Sequence, residues 1–186
     1  MVLAATSMNI NTPEHWDDAW ERAGLIYAAE RGRKASGERI LADLSQPCAI
    51  LDLGGGCGPF APMARAAGHR VTVADFSPWA VAHVRESGFQ AVVWDARQPH
   101  DLGRFDAVVC TELLEHLDAP EIVIAYAATC APRGYFSVPH NCMGPESCRE
   151  HQRLYTRTTL RAALGASWRD VVIEARGRYL LGMVQT

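Results

Sequence analysis

The sequence lacks several features that would assign it to whole classes of protein. Basic residues are not in excess, since 18 Lys and Arg stand against 21 Asp and Glu, so no overall positive charge indicates nucleic-acid binding, although a local patch could still bind it. No hydrophobic run is long enough to cross a membrane, and the first residues have neither the basic region nor the apolar length of a signal peptide. We therefore expect one globular, cytoplasmic domain without membrane association, as a monomer or homodimer.

Closely spaced cysteine pairs of the kind that form zinc hooks are also absent. The six cysteines are scattered, and three of them (Cys48, Cys57 and Cys110) fall in or beside predicted buried strands and turns, which favours reduced thiols. Residues 140–151 read H-x-C-x5-C-x2-H. Because this spacing lacks the usual closely spaced cysteine pair, a structural zinc site in this segment is only an alternative interpretation.

A full dinucleotide-binding fingerprint, G-x-G-x-x-G, is missing as well, because Pro59 occupies the third glycine position counted from Gly54. What is present is a short apolar strand at 50–53, a glycine turn, and an Ala-rich helical pattern that starts after Pro59. The turn contains four glycines: Gly54, Gly55, Gly56 and Gly58. Glycines let a ligand lie against the backbone, and the following helix offers free N–H groups, so this turn predicts a ligand site.

Further strands are predicted along the chain, and acidic residues follow several of them. The predicted strands cover residues 70–75, 89–94, 105–110, 135–138, 168–174 and 179–184. Asp75 ends the second strand 19 residues after Gly56, close to the offset of an acid that accepts hydrogen bonds from ribose hydroxyls. A plain helix cap is the alternative for Asp75, although Ser77 is better placed for that role. The short gap between the last two strands predicts an antiparallel hairpin.

The stretch Asp-Leu-Gly-Gly-Gly-Cys-Gly at 52–58 resembles motif I of the class I S-adenosylmethionine (SAM)-dependent methyltransferases, and residues 73–78 resemble the second-strand motif of that family. The resemblance covers most of residues 43–184. It implies an α/β fold, namely a Rossmann-like three-layer sandwich whose mostly parallel seven-stranded sheet has an antiparallel last strand. It also implies a SAM-binding core at 46–186 and N-terminal helices at 1–45 that form a lid or substrate cap.

The resemblance assigns expected roles in cofactor binding. The glycines would face the methionine part of SAM, Asp52 would orient its amino group, and Phe76 would flank the adenine. Asp95 would meet the adenine amino group beside the backbone N–H of Ala96, although a solvent-facing turn is the alternative for Asp95. Trp16 would belong to the lid, unless Trp16 and Trp20 form one apolar stripe against the sheet. The expected cofactor residues are Trp16, Asp52, Gly54, Gly55, Gly56, Gly58, Asp75, Phe76, Asp95, Ala96 and Thr111.

Residues 111–117 closely resemble the Glu-x-x-Glu-His segment of many small-molecule O-methyltransferases and of small-RNA 2′-O-methyltransferases. In some of these, the two glutamates and the histidine bind a divalent metal beside the acceptor hydroxyl. Glu112, Glu115 and His116 could share one side of a helical turn and hold Mg or Zn, with His140 or His151 as a fourth ligand. Alternatively no metal binds, and His116 or His140 acts as the base, with Glu112 as a third catalytic candidate.

The sequence therefore predicts a SAM-dependent methyltransferase that acts on a small-molecule acceptor, most simply at oxygen. Two alternatives remain open. One is a metal-dependent RNA 2′-O-methyltransferase, which would use a basic stripe if the segment is helical; the stripe would consist of Arg149, Arg153, Arg157 and Arg161. The other is a nucleotide-binding module without catalysis.

Overall fold

The protein is described here from a computed structural model that covers residues 10–28, 31–140 and 143–186. Its seven strands are β1 (Ala49–Leu53), β2 (Arg70–Asp75), β3 (Gln90–Val93), β4 (Ala107–Thr111), β5 (Arg133–Pro139), β6 (Asp170–Arg176) and β7 (Tyr179–Gln185). They form one sheet in the order β3-β2-β1-β4-β5-β7-β6. In the described sheet, β7 runs antiparallel to both of its neighbours, β5 and β6, and the other strand pairs are parallel, so the predicted Rossmann-like α/β fold is confirmed.

The central strands are buried on both faces, which explains why they read as continuous apolar runs. Leu51 and Val108 face one hydrophobic core, and their neighbours Ile50 and Val109 face the other. Helices cover both faces of the sheet, as a three-layer sandwich requires. They are α1 (Pro13–Ala28), α2 (Arg31–Asp43), α3 (Phe60–Ala66), α4 (Pro78–Glu86), α5 (Pro120–Cys130) and α6 (Arg157–Gly165).

Local capping residues mark the starts of two helices. Ser77 caps α4 by accepting a hydrogen bond from the Ala80 backbone N–H at 3.0 Å, and Thr156 caps α6 with a reciprocal pair involving Thr159. The β6–β7 hairpin is confirmed, with Arg176 opposite Tyr179 and Gly177 at φ 60°. This positive φ matches the turn geometry that tight hairpins favour.

The predicted basic stripe does not form. α6 begins only at Arg157, so Arg149 and Arg153 precede it and cannot share its face. The Arg157 and Arg161 guanidinium groups donate to the carbonyls of Ile173 and Val171 on β6. These arginines therefore attach α6 to the edge strand.

The described cysteines (Cys48, Cys57, Cys110, Cys130 and Cys148) carry free thiols, as expected, and Cys142 lies outside the described residues. Within the described ranges, no helix has both the length and the hydropathy of a membrane span.

Candidate functional site

The glycine turn after β1 forms the base of a cavity of about 310 Å³ at the carboxyl ends of the parallel strands. Gly54 and Gly56 have φ values of 68° and 53°, which disfavour any side chain. A Cβ at Gly54 would lie 2.8 Å from Leu113, and one at Gly56 would lie 2.4 Å from the Trp20 ring. The turn therefore accepts only glycine at both positions, and it presents bare backbone towards the cavity.

Asp75 lies on the cavity wall and is buried. Its two carboxylate oxygens accept hydrogen bonds from the backbone N–H groups of Gly56 at 2.8 Å and Ser77 at 2.9 Å. Burial raises the pKa of Asp75 to about 6, although these backbone hydrogen bonds act in the opposite direction. Asp75 thus connects β2 to the glycine turn and still offers carboxylate acceptors at the cavity.

Asp52 is a second buried carboxylate, directly before the glycine turn. Burial raises its pKa to about 7, and the charge of Asp75 contributes further in the same direction. Its Oδ1 atom has no hydrogen-bond partner within the described ranges. A buried acceptor of this kind suits a positively charged amino group, so Asp52 and the glycine turn together fit the methionine part of SAM.

A group of side chains after β2 and β3 forms the wall on which the adenosine part was expected to lie. Phe76, Asp95 and Ala96 all line the cavity, and their contact with adenine stays a prediction. Asp95 accepts hydrogen bonds from the backbone and guanidinium of Arg97, and these hydrogen bonds lower its pKa despite partial burial. Arg97 also lies over the Phe76 ring, 5.4 Å from its centroid. An adenine amino group would therefore share the Asp95 carboxylate with Arg97.

Helix α1 lies against one side of the cavity and brings two tryptophans to it. The Asp17 carboxylate accepts from the Trp79 backbone N–H at 3.1 Å and from the Ser77 hydroxyl, which attaches α1 to the start of α4. Trp20 lies on Gly56, and Trp16 is 5.8 Å from Trp20 between ring centroids. Both tryptophans line the cavity rather than forming only a stripe that packs on the sheet.

The segment after β4 forms the opposite wall. Thr111, Glu112 and His116 line the cavity. Glu112 adopts the left-handed region at φ 55°, and its carboxylate accepts from the Ser137 hydroxyl at 2.7 Å. The prediction that Glu112, Glu115 and His116 share one helical turn is wrong, because the short 3₁₀ turn begins only at Leu114. Glu112 lies before this turn, and its carboxylate contacts Ser137 on β5 instead.

Glu115 and His151 lie behind this wall, next to His116. One ligand atom from each lies within 4.8 Å of the others, and Glu115 and His151 are only 1% and 5% exposed. The His116 Nδ1 atom is 3.1 Å from the Glu150 carbonyl, and the His151 Nδ1 atom contacts the Met143 carbonyl. This is the one group of three or more potential metal ligands in the described part of the chain, and it contains His151 in place of Glu112.

His140 is not among the described residues that line the cavity. It directly follows β5, and its backbone N–H donates to the Arg178 carbonyl at 2.8 Å. Cys148 donates to the Glu150 carboxylate at 3.3 Å. The described ligand group includes neither His140 nor Cys148, so the residues of the predicted H-x-C-x5-C-x2-H zinc site are not brought together there.

Several residues on the cavity wall were not predicted from the sequence. Leu113 contacts the glycine turn, and Arg97 holds Asp95. Asn11 is 7% exposed and donates to the His116 and Glu150 carbonyls at 3.1 and 2.8 Å. In the sequence, Asn11 is recognisable only as a polar residue directly before the Thr12 helix cap, and this pattern does not predict hydrogen bonds to residues more than 100 positions away.

Comparison with known proteins identifies the family. A sequence family described as a methyltransferase domain matches residues 27–167, about three quarters of the chain. The chain belongs to this family. The class I SAM-dependent methyltransferase assignment is thereby confirmed, together with SAM as the cofactor. No curated protein matches this methyltransferase by sequence.

Solved structures show the same fold at low sequence identity. A Burkholderia thailandensis 1,6-didemethyltoxoflavin N1-methyltransferase, solved with its acceptor and S-adenosylhomocysteine, is 20% identical with a TM-score of 0.74, over 94% of this chain and 86% of that one. The magnesium protoporphyrin IX methyltransferase of Synechocystis PCC 6803 is 17% identical with a TM-score of 0.69, over 83% and 84%. A Haloferax volcanii methyltransferase structure that includes the Trm112 activator is 18% identical with a TM-score of 0.74, over 91% of this chain and 96% of that one.

Proposed function

We propose that this methyltransferase transfers the methyl group of SAM to an oxygen atom of a small-molecule acceptor. The observation that carries this proposal is a single cavity lined by most of the expected cofactor residues and by the ionisable side chains of Glu112 and His116; Asp52, Gly56 and Gly58 are not among its described lining residues. The remaining lining is largely apolar and aromatic, including Trp20, Phe60 and Met63, which suits a compact, partly planar acceptor. The neighbour that methylates 1,6-didemethyltoxoflavin acts on a small molecule, although at nitrogen.

In this proposal, catalysis comes mainly from holding the acceptor in the correct position relative to the methyl group of SAM. SAM supplies an electrophilic methyl group, and the acceptor must approach in line with the bond that breaks. The glycine turn, Asp52 and Asp75 would fix the cofactor, while α1 with Trp16 and Trp20 would exclude water from the cavity. Residues 1–45 would thereby act as the cap of the site. Glu112 and His116 would activate the acceptor hydroxyl, because both reach the same cavity wall.

RNA methylation is a weaker candidate. The guanidinium groups of Arg153, Arg157 and Arg161 donate to backbone carbonyls, which removes the stripe that favoured a phosphate partner. A module without catalysis would have no use for Glu112 and His116 on the cavity wall. Turnover of a small acceptor would distinguish the proposal from this last alternative.

The experiment is calorimetric titration of the purified chain with S-adenosylhomocysteine. We expect micromolar binding, about −8 kcal/mol, for the wild type and at least a tenfold loss for Asp75→Asn. Asp170→Asn is the matched control, because Asp170 is exposed at the start of β6 and is not among the described cavity residues. Absence of binding by the wild type at concentrations that would reveal a millimolar dissociation constant would contradict the proposal.

A further inference from the structure

We propose that Glu115, His116 and His151 form a binding site for one divalent metal ion of the zinc class. The site itself does not depend on methyl transfer, but its use in activating the acceptor rests on the proposed function. The Glu-x-x-Glu-His resemblance implied a different set, namely Glu112, Glu115 and His116 with His140 or His151 as a fourth ligand. The inference therefore concerns both the existence of the site and the identity of its third ligand.

The distances between the ligand atoms suit a single ion. Zinc binds histidine nitrogen and carboxylate oxygen at about 2.0–2.2 Å, so two ligands of one ion lie about 3.3–3.5 Å apart in a tetrahedral arrangement. The three ligand atoms here lie within 4.8 Å of one another, and the Glu115 Oε1 atom is 3.9 Å from His116 Nε2. A closing movement of about 1 Å would bring them to bonding distances around an ion.

The hydrogen bonds of the two imidazoles present the correct nitrogen to a metal. A carbonyl oxygen only accepts, so the Nδ1 atoms of His116 and His151 carry the protons that they donate to Glu150 and Met143. Each ring then offers Nε2 as the ligand atom. Metal-binding histidines are typically oriented in this way by a carbonyl or carboxylate on the other ring nitrogen.

Both carbonyls belong to the segment that precedes His151. The backbone N–H of Gln152 also donates to the Glu115 carbonyl at 2.7 Å, which holds the segment against the 3₁₀ turn. The ligands from two distant parts of the chain are thus assembled by backbone contacts. Preassembly of this kind reduces the ordering that metal binding would otherwise require.

The side chain of Glu112 lies apart from this group. Its carboxylate accepts from Ser137 on β5, and its left-handed backbone directs it to the cavity wall. The described ligand group accordingly consists of one carboxylate and two imidazoles. Magnesium prefers oxygen ligands, so this donor set favours zinc or a related transition metal over magnesium.

The position of His116 gives the site access to the acceptor. Of the three ligands, only His116 is among the described residues that line the cavity. An ion on its Nε2 atom would place positive charge at the wall where the acceptor hydroxyl is proposed to bind. Positive charge there lowers the pKa of the hydroxyl and makes it a better nucleophile.

The test is metal stoichiometry on the full chain, purified without a histidine tag and dialysed against a chelator before titration with Zn²⁺. We expect about one equivalent of tightly bound zinc in the wild type and a loss of affinity of at least tenfold in Glu115→Gln and in His151→Gln. Glu112→Gln should retain zinc affinity within about threefold. His100→Gln, which changes an exposed histidine, is the matched control. Replacement by Co²⁺ should give visible absorption bands that the His151 variant lacks.

Each other outcome contradicts the inference in a specific way. Loss of zinc in Glu112→Gln with retention in His151→Gln would restore the ligand set implied by the resemblance. A wild type that binds no zinc would show that Glu115 and the histidines form only a buried ion pair. Titration with S-adenosylhomocysteine on the same preparation separates this failure from failure of the proposed function, and thermal unfolding without metal shows whether each variant folds.

Discussion

The glycine turn shows most clearly how single residues determine the site. Gly56 and Gly88 both have positive φ values, 53° and 78°, so an added side chain strains the backbone at either position. Only at Gly56 would an added Cβ also clash with a neighbour, because it would lie 2.4 Å from Trp20. At Gly88 an added Cβ would have no neighbouring atom within 4 Å. The two positions therefore separate backbone strain from close packing.

We predict that Gly88→Ala lowers the free energy of unfolding by about 1 kcal/mol, through strain alone, and leaves S-adenosylhomocysteine binding unchanged. Gly56→Ala should be more destabilising and should weaken binding at least tenfold, because Trp20 and the turn must move apart. Denaturant unfolding and calorimetry measure the two effects. Equal destabilisation by both variants, with equal binding, would contradict a close contact between Trp20 and Gly56.

The methyltransferase family could be predicted from local sequence signatures, whereas the roles of the individual site residues stay predictions. Motif I, Asp75 and the Glu-x-x-Glu-His segment each have a local signature, and the structure places Asp75, Glu112 and His116 on one cavity. Arg97 and Leu113 were not assigned, and His151 was assigned only as one of two possible fourth metal ligands, because their roles depend on partners contributed by distant segments. His151, for example, meets Glu115 only because the chain returns across the turn after β4.

At the scale of elements, the attachment of α1 is the feature that sequence patterns did not reveal. Asn11 precedes α1 and joins three segments: its amide donates to the His116 and Glu150 carbonyls, and its oxygen accepts from the Trp16 indole at 3.0 Å. Thr12 caps the same helix with a local hydrogen bond to the His15 backbone N–H. One residue thus connects α1 to the site, and the next stabilises only the helix start.

We predict that Asn11→Ala destabilises the protein by about 1–3 kcal/mol and speeds dissociation of S-adenosylhomocysteine, because three partly buried partners lose their hydrogen bonds. Thr12→Ala should cost about 1 kcal/mol through loss of the cap and should leave the dissociation rate unchanged. Stopped-flow fluorescence of the tryptophans near the cavity measures this rate. If both variants release the ligand equally fast, Asn11 contributes only to helix stability and does not hold α1 against the site.

The whole molecule combines two buried carboxylates with several carboxylates on its surface, and these make opposite contributions to stability. Burial raises the pKa of Asp52 to about 7 and that of Asp75 to about 6. By contrast, Arg39 lowers the pKa of Glu174, and Arg97 lowers that of Asp95. The surface pairs therefore lose stability in acid, whereas the two buried groups bind an extra proton in the folded state above the pKa of the unfolded chain, near 3.8.

We predict that the free energy of unfolding of the ligand-free protein falls as the pH rises from about 5 to about 7.5. The contribution of Asp52 and Asp75 is fully present below their unfolded pKa values, and it is lost as the pH rises through their folded values, by at most about 1.4 kcal/mol per pH unit for each group. Urea unfolding at several pH values measures this slope, and Asp52→Asn should flatten it. A stability that rises across this range, or a slope unchanged in Asp52→Asn, would show that these carboxylates are already ionised in the folded protein.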